Sequence, residues 1–375
     1  MQYVSAVEPG LFANRTESEL RETTDNLVEA MHGGPKGDGE EILFSLRGVY
    51  ESLVHAKRMD ANLTEANTSS VFNTVSRTIV VDGVIEGYAS VPRIGRDLVN
   101  VIPTPGKKTG RLAGVTTDAE IEEVLESEEY KAAGMSDKYV TYANKKYGRH
   151  IPITVEAVME DQTGEVLDKA RSIGEILANF EEKKILNAIM DIAGYKGYNP
   201  AGVSTTLYSA TATESKTQAP AANLKATNAL ADWTDIDNAW QLLGTKIGEN
   251  GDPIAQGSNI SLLAPWALRG TGQYIVNNQK DTRATVNADA PATTLAFPDG
   301  SRYSPWLDLQ SASTWFFGDF KQQFTKTSYW DLKTKFIDGA NDASMQLRDI
   351  FGTYLASIYF DVIARDFRFV IKNTA

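Results

Sequence analysis

One uninterrupted amphipathic stretch, from Asp161 to Gly194, constrains the fold of this chain more than any other feature. Asp161 or Thr163 can cap its start and Gly194 its end. The stretch predicts a single helix of roughly 40 Å, which is long enough to act as a rigid beam across a domain. Its apolar residues recur at alternating four- and three-residue intervals at Val166, Ala170, Ile173, Leu177 and Phe180, and Ile185, Leu186 and Ile189 continue the apolar content.

Residues 107–156 predict a two-stranded ribbon with a polar tip. The outgoing strand starts near Arg111 and runs into the acidic segment 118–129, and residues 130–137 form the turn. The returning strand has Val140 and Tyr142 on one face, and the apolar residues from Ile151 onward lie on the other. Gly148 stands between the two sets, so we expect a bulge there that changes the face. The acidic segment is also compatible with a helix.

Charges along this ribbon are segregated by arm, since the outgoing arm is acidic and the returning arm basic. Opposed charges favour pairing of the arms, but an isolated ribbon buries too little surface to be stable in water. We therefore expect it to lie against its own domain or against a neighbouring molecule. The residues expected to make contacts between subunits are Glu122, Glu123, Glu126, Lys138, Lys145, Lys146 and Arg149.

The remaining segments indicate an α+β organisation rather than regular βαβ winding. Residues 16–31 and 42–54 predict two amphipathic helices, which form either a hairpin on the surface or an arm that packs on another subunit. Residues 78–81 predict a short strand, with a turn at Asp82 and Gly83. Several short strands follow in the last 120 residues, and no internal repeat is visible.

Composition argues against most catalytic and binding chemistries. The chain has no cysteine and three histidines, and it has no phosphate-binding loop, dinucleotide-binding motif or nucleophile elbow. The adjacent carboxylates Glu181 and Glu182 point apart on a helix, so we expect them on a solvated face. We therefore expect no enzyme activity, no metal and no cofactor. A net charge of −12 is unfavourable for a dedicated nucleic-acid binder, and no apolar run is long enough for a membrane span.

The order of segments resembles that of a tailed-bacteriophage major capsid protein with the Hong Kong 97-like fold. The resemblance covers roughly residues 70–375 and depends on the order and character of the segments. Its first part is residues 147–158 (YGRHIPITVEAV), followed by Asp161 and the long helix. Its later part is residues 262–268 (LLAPWAL), 317–320 (FGDF) and 364–370 (ARDFRFV).

This resemblance implies a division of the chain into the parts of that fold. They are an N-terminal helical arm (1–68), its continuation into the peripheral domain (69–106), an extended loop (107–148), the peripheral domain with its spine helix (149–199), the axial domain (200–315), a return to the peripheral domain (316–359) and the last axial strand (360–375). In such proteins the extended loop reaches over a neighbouring subunit.

The resemblance also implies partners and a location. Copies of the chain would form hexamers and pentamers of an icosahedral shell, assembled in the host cytoplasm and found in the virion. The shell would enclose double-stranded DNA through weak, non-specific contacts, and portal, scaffold or decoration proteins are further expected partners. No membrane partner is implied.

Three other functions remain open from the sequence. An encapsulin-type compartment has the same fold and encloses protein cargo, although the long N-terminal segment favours the virus. A hydrolase with two distant carboxylates has no support beyond the abundance of Asp and Glu. A surface-layer protein fits the absence of cysteine but lacks an export signal.

Overall fold

A computed structural model describes residues 80–117, 135–154, 156, 165–192, 206–210, 223–248, 253–254, 259–277, 300–338 and 348–375. The expected N-terminal arm (1–68) and the acidic segment 118–129 lie outside these residues. The chain divides into two compact units. The first contains residues up to 92, 146–179 and 331–358, and the second contains residues 93–145, 180–330 and 359–375.

The helices and strands are numbered here in chain order. The helices are α1 (80–90), α2 (Ile94–Leu98), α3 (Glu165–Ile189), α4 (Trp233–Gly244), α5 (Arg269–Asn277), α6 (Pro305–Asp308) and α7 (Phe320–Gln323), with a 3₁₀ turn at Trp266–Leu268. The strands are β1 (Asn100–Pro103), β2 (Thr109–Thr117), β3 (Met135–Ala143), β4 (Lys145–Thr154), β5 (Leu224–Lys225), β6 (Ser261–Pro265), β7 (Ser301–Ser304), β8 (Trp315–Gly318), β9 (Phe324–Asp338), β10 (Ile350–Ala364) and β11 (Val370–Asn373). No helix among the described residues is both long and apolar enough to cross a membrane.

In the first unit, α1 packs very closely against α3. A Cβ atom placed on Gly87 would lie 2.1 Å from the carbonyl oxygen of Arg171, and one on Gly174 would lie 2.2 Å from that of Val84. The expected strand at 78–81 and turn at 82–83 are wrong where the structure describes them, because residues 80–83 belong to α1. Val80, Val84 and Tyr88 recur every four residues and are all buried, so the helical period outweighs the β-branched composition.

The long helix is present as α3, with 25 residues and a length of about 37 Å. Its predicted apolar face is buried at Ala170, Leu177, Ile185, Leu186 and Ile189. The predicted end at Gly194 is wrong, because the helix ends at Ile189. Asp191 takes the left-handed conformation (φ 62°), and the Ile192 and Asp191 amides donate to the Asn187 and Ala188 carbonyls, as in a Schellman motif.

A sheet of the first unit has the strand order β9-β10-β4, in which β9 and β10 contribute only residues 331–338 and 350–358. β4 passes Gly148 without interruption. A Cβ atom on Gly148 would lie 2.7 Å from the Ala356 carbonyl oxygen, so this glycine permits a close approach of β4 to β10. On the other two strands, the rings of Phe336 and Tyr354 are 4.7 Å apart.

The second unit is built on a five-stranded sheet with the order β5-β11-β8-β6-β7. β6 is parallel to β7 and antiparallel to β8, and all five of its residues are buried. α4 begins at a capping box made by Asp232 and Asp235 and places Ile236, Ala239 and Leu243 in the core of this unit. Ser301–Ser304 form β7 at the edge of this sheet.

Replacing Gly87 with alanine should destabilise the first unit by about 1–3 kcal/mol, because the added methyl group would overlap the backbone of α3 and cannot rotate away. Thermal unfolding followed by circular dichroism measures the effect. Gly244→Ala is the matched control, since no atom lies within 4 Å of a Cβ at that helix position. Equal melting temperatures for the two variants would show that the helices can separate without cost.

Candidate assembly elements

The ribbon is present in the second unit as β2 and β3. These strands pair antiparallel over their full length, from Thr109 opposite Ala143 to Thr117 opposite Met135. The expected turn at 130–137 is therefore wrong in its last part, because Met135, Ser136 and Asp137 already belong to β3. Along β2 the guanidinium of Arg111 lies 4.3 Å from the centre of the Tyr139 ring, on the exposed part of the ribbon.

Asn144 fixes the base of the ribbon where β3 ends. Its side chain is buried, and its amide nitrogen donates to the Thr104 hydroxyl at 3.0 Å and to the Lys107 carbonyl at 3.1 Å. Its amide oxygen accepts a hydrogen bond from the Thr327 hydroxyl at 2.8 Å. Both N–H groups of this side-chain amide and one lone pair of its oxygen are thus hydrogen-bonded, which fixes the orientation of the side chain.

A small apolar cluster and one carboxylate hold the same end of the ribbon. Val140 and Tyr142 are buried against Ile363 of β10, and Leu112 packs at the edge of this group. The carboxylate of Asp361 accepts a hydrogen bond from the Ala143 amide at 3.1 Å. Among the described residues, the ribbon is therefore held to the rest of its unit by contacts at its base.

The residues expected at subunit contacts are placed unequally. Lys145, Lys146 and Arg149 are exposed at the start of β4. Lys138 lies in β3 with its backbone opposite Gly114, and its side chain is not among those described. Glu122, Glu123 and Glu126 lie outside the described residues.

The buried face of the chain changes as expected, since Tyr142 and Asn144 are buried before the change and Ile153 is buried after it. It changes at the break between β3 and β4, however, and not at Gly148.

The second unit also exposes large apolar side chains near α5. Trp266 and Tyr274 are about half exposed, and Leu309 is largely exposed. The backbone amides of Trp266 and Ala267 donate to the Asp308 carboxylate at 2.7 and 3.0 Å, which fixes the position of the tryptophan beside α6. The Arg269 guanidinium lies 4.7 Å from the Trp266 ring.

Glu181 is the centre of a buried cluster of charges in the second unit. One carboxylate oxygen accepts from Lys326 Nζ at 2.5 Å and lies 3.5 Å from an Arg96 nitrogen, and the other lies 3.5 Å from Arg93. Glu181 and Lys326 are each only 1% exposed. The expected solvated face at Glu181 and Glu182 is therefore wrong, since three cations compensate one of the two carboxylates.

Glu182 is buried beside this cluster without a cation of its own. Its Oε1 accepts a hydrogen bond from the Gly95 amide at 2.7 Å, and its Oε2 has no hydrogen-bond partner within the described residues. Burial raises the pKa of Glu182 to about 7, although backbone N–H groups of α2 act in the opposite direction. The carboxylate of Glu181 raises the pKa further.

The sequence does contain a pattern that predicts the burial of Glu181 and Glu182, although their adjacency alone suggested a solvated face. Glu181 follows Leu177 by four residues and precedes Ile185 by four, and Glu182 stands in the same way between Ala178 and Leu186. Both carboxylates therefore lie on the buried stripe of α3. Nothing in the sequence, however, identifies Lys326 as the partner, because 145 residues separate it from Glu181.

Within the described residues, no group of three or more His, Asp and Glu side chains could hold a metal ion. The features described so far are the ribbon with its anchored base and the basic start of β4, which the sequence suggested as contact regions.

The model of a family described as phage capsid protein matches residues 138–373. This match spans the segment from β3 to β11, which is well over half of the sequence. The chain belongs to the phage capsid protein family. It is accordingly a structural protein of the virion capsid, and the family resemblance seen in the sequence is confirmed.

The mixed helix-and-sheet fold of this capsid protein is similar to that of a solved capsid structure. The capsid of a native GTA particle has a TM-score of 0.50 at 13% identity, covering 76% of this chain and 91% of that one. The capsid of Cyanophage P-SCSP1u has a TM-score of 0.49 at 12% identity, covering 76% and 88%. A virus-like particle from Pyrococcus furiosus has a TM-score of 0.45 at 9% identity, covering 79% and 98%. No curated protein matches the sequence.

Replacing Glu181 with glutamine should destabilise the capsid protein by about 3–5 kcal/mol, because it leaves the buried Lys326 ammonium without a compensating charge. Urea denaturation of the unassembled subunit measures the loss.

Glu175→Gln, an exposed position on the same helix, should change stability by less than about 0.5 kcal/mol. The paired variant Glu181→Leu with Lys326→Met should recover much of the loss, since it removes both buried charges. A Glu181→Gln variant as stable as the native chain would mean that water reaches Lys326.

Proposed function

We propose that this chain is the major subunit of an icosahedral phage shell, built of hexamers and pentamers, which encloses double-stranded DNA. The family match over residues 138–373 is the observation on which the proposal depends. A shell of this kind closes through many repeated contacts between identical subunits. Each contact can be modest in strength, because the contacts act together over the lattice.

The chain then has the parts of a Hong Kong 97-like subunit. We assign the first compact unit to the peripheral domain and most of the second to the axial domain. We assign α3 as the spine helix, and its residues 165–179 belong to the first unit and 180–189 to the second. The division at residues 330/331 and 358/359 supports this assignment, and it lies near the expected boundaries at 316 and 360. The N-terminal residues 1–68 are proposed as an arm that packs on other subunits.

The ribbon of β2 and β3 is proposed as the extended loop. Its contacts to its own unit are at the base, where Asn144 and Tyr142 are buried, whereas Tyr139 further along is 42% exposed. A two-stranded ribbon of this length needs further burial to remain ordered. A neighbouring subunit supplies that surface in the assembled shell.

Charge complementarity selects the contacts of this loop. The acidic set Glu122, Glu123 and Glu126 of one subunit is proposed to face basic residues of another. Lys145, Lys146 and Arg149 are suitable because they are exposed together at the start of β4. Such contacts fix register and partner more than they add affinity.

Particle contents distinguish this function from an encapsulin-type compartment, which encloses protein cargo. Electron microscopy of the purified chain should show closed shells several hundred ångströms across, and particles from the natural host should contain double-stranded DNA. A monodisperse monomer at high concentration would contradict the shell function, and a protein cargo in place of DNA would indicate a compartment.

A shortened ribbon should abolish assembly and leave the subunit folded. Ala113 lies opposite Tyr139, so an Asn-Gly turn can join them in place of residues 114–138 and preserve the contacts of Leu112, Val140 and Tyr142. We expect a melting temperature within a few degrees of that of the native subunit, and no shells by electron microscopy. Shells of normal size from this variant would contradict the role proposed for the loop.

Reversing the charge of Lys145, Lys146 and Arg149 to glutamate should lower the yield of shells at least about tenfold, because each exposed pair of about 0.2–1 kcal/mol is replaced by repulsion. Sedimentation at low ionic strength measures the yield. A second variant that also changes Glu122, Glu123 and Glu126 to lysine should restore assembly. Failure of this double reversal, with both variants folded, would show that the two sets do not face each other.

A further inference from the structure

Two neighbouring carboxylates on α3 are buried in unequal surroundings. Glu181 lies among Lys326, Arg93 and Arg96, and its charge is therefore compensated. Glu182 accepts hydrogen bonds from backbone amides of α2, with the Gly95 amide at 2.7 Å, and its Oε2 has no hydrogen-bond partner among the described residues. A buried ionised carboxylate needs a compensating charge or several hydrogen bonds, and Glu182 has neither in full.

The charged groups around Glu182 come from three elements. On α3 the nearest are Glu181, which is negative, and Lys183, whose ammonium lies 5.8 Å from the Trp306 ring. On and before α2 are Arg93 and Arg96, which contact Glu181, and Asp97, which repels the Glu182 charge. On β9 is Lys326, which pairs with Glu181. Arg93, Arg96 and Lys326 thus each form an ion pair with Glu181.

α2 lies as close to Glu182 as a glycine allows. A Cβ atom on Gly95 would be 3.1 Å from Glu182 Oε2 and 3.1 Å from Ile185 Cγ2. Leu98 of the same short helix is 1% exposed, so α2 is itself packed into the interior of the unit. Movement of residues 93–98 away from α3 would open the side of Glu182 that Gly95 covers.

We propose that Glu182 and residues 93–98 form a proton-dependent clasp, in which these residues dock on α3 when Glu182 is neutral and separate from it when Glu182 is ionised. The clasp is formed entirely by residues of the second unit of one subunit. It therefore needs no contact between subunits and does not depend on the proposed shell function. It gives the subunit a conformational response to a change in pH.

The direction of the response follows from proton linkage. The docked form holds the pKa of Glu182 at about 7, against an ordinary value of 4.5 for an exposed carboxyl group. The docked form therefore binds the proton more tightly, and docking weakens as pH rises between these two values. With one proton involved, the docking equilibrium changes about tenfold per pH unit within this window and is constant above it.

Hydrogen exchange of the full chain tests the clasp. Protection factors of a peptide that covers residues 93–98, corrected for the intrinsic exchange rate at each pH, should fall about 40-fold from pH 5 to pH 7 and only about twofold more by pH 8. Glu182→Gln, which is always neutral, should keep the high protection at every pH. Glu175→Gln, an exposed control on the same helix, should behave like the native chain.

Either of two results would overturn the clasp: protection in the native chain that is independent of pH, or the same slope in Glu182→Gln. Infrared titration of the native chain provides a test that needs no variant to fold. It should show one carboxyl group still protonated at pH 6, where exposed carboxyl groups are ionised, and the absence of that band would also refute the proposal.

Discussion

The ion pair between Glu181 and Lys326 joins the long helix α3 to the strand β9 inside the second unit. Both side chains are withdrawn from water, at a cost that only close geometry and additional partners can offset. Arg93 and Arg96 supply those partners and thereby bring α2 to the same place. One buried charge thus defines how three elements that are far apart in the sequence meet, a specificity that apolar contacts alone provide less sharply.

The elements with a strong local period could be predicted from the sequence. α3 was recognisable because Ala170, Leu177 and Ile185 repeat at helical intervals, and the ribbon because Val140 and Tyr142 alternate with polar residues. The end of α3 was not, since Asp191 adopts the left-handed conformation that sequence reasoning assigned to Gly194. α1 was missed because its β-branched residues suggested a strand, whereas glycines at 83 and 87 serve close helix packing.

The assembly elements were predictable only in outline. Exposed Lys145 and Arg149 follow from a polar edge strand, but the anchoring of the ribbon depends on pairs with no sequence signature. Asn144 bonds to Thr327 across 183 residues, and Ala143 to Asp361 across 218. The burial of Glu181 and Glu182 was missed for a related reason, because the compensating residues lie on other elements. Long-range polar contacts of this kind are set by the tertiary fold.

The paired length of β2 and β3 has a mechanical consequence. Nine residues per strand extend about 30 Å from the base. A small rotation about Asn144 therefore produces a larger displacement at the far end of the paired strands. A tilt of about 10° at Asn144 displaces the far end by about 5 Å, close to the spacing of two neighbouring strands. If the ribbon is the extended loop proposed above, the hydrogen bonds at its base, rather than those along its length, would set how much variation in local curvature one lattice position can accommodate relative to another.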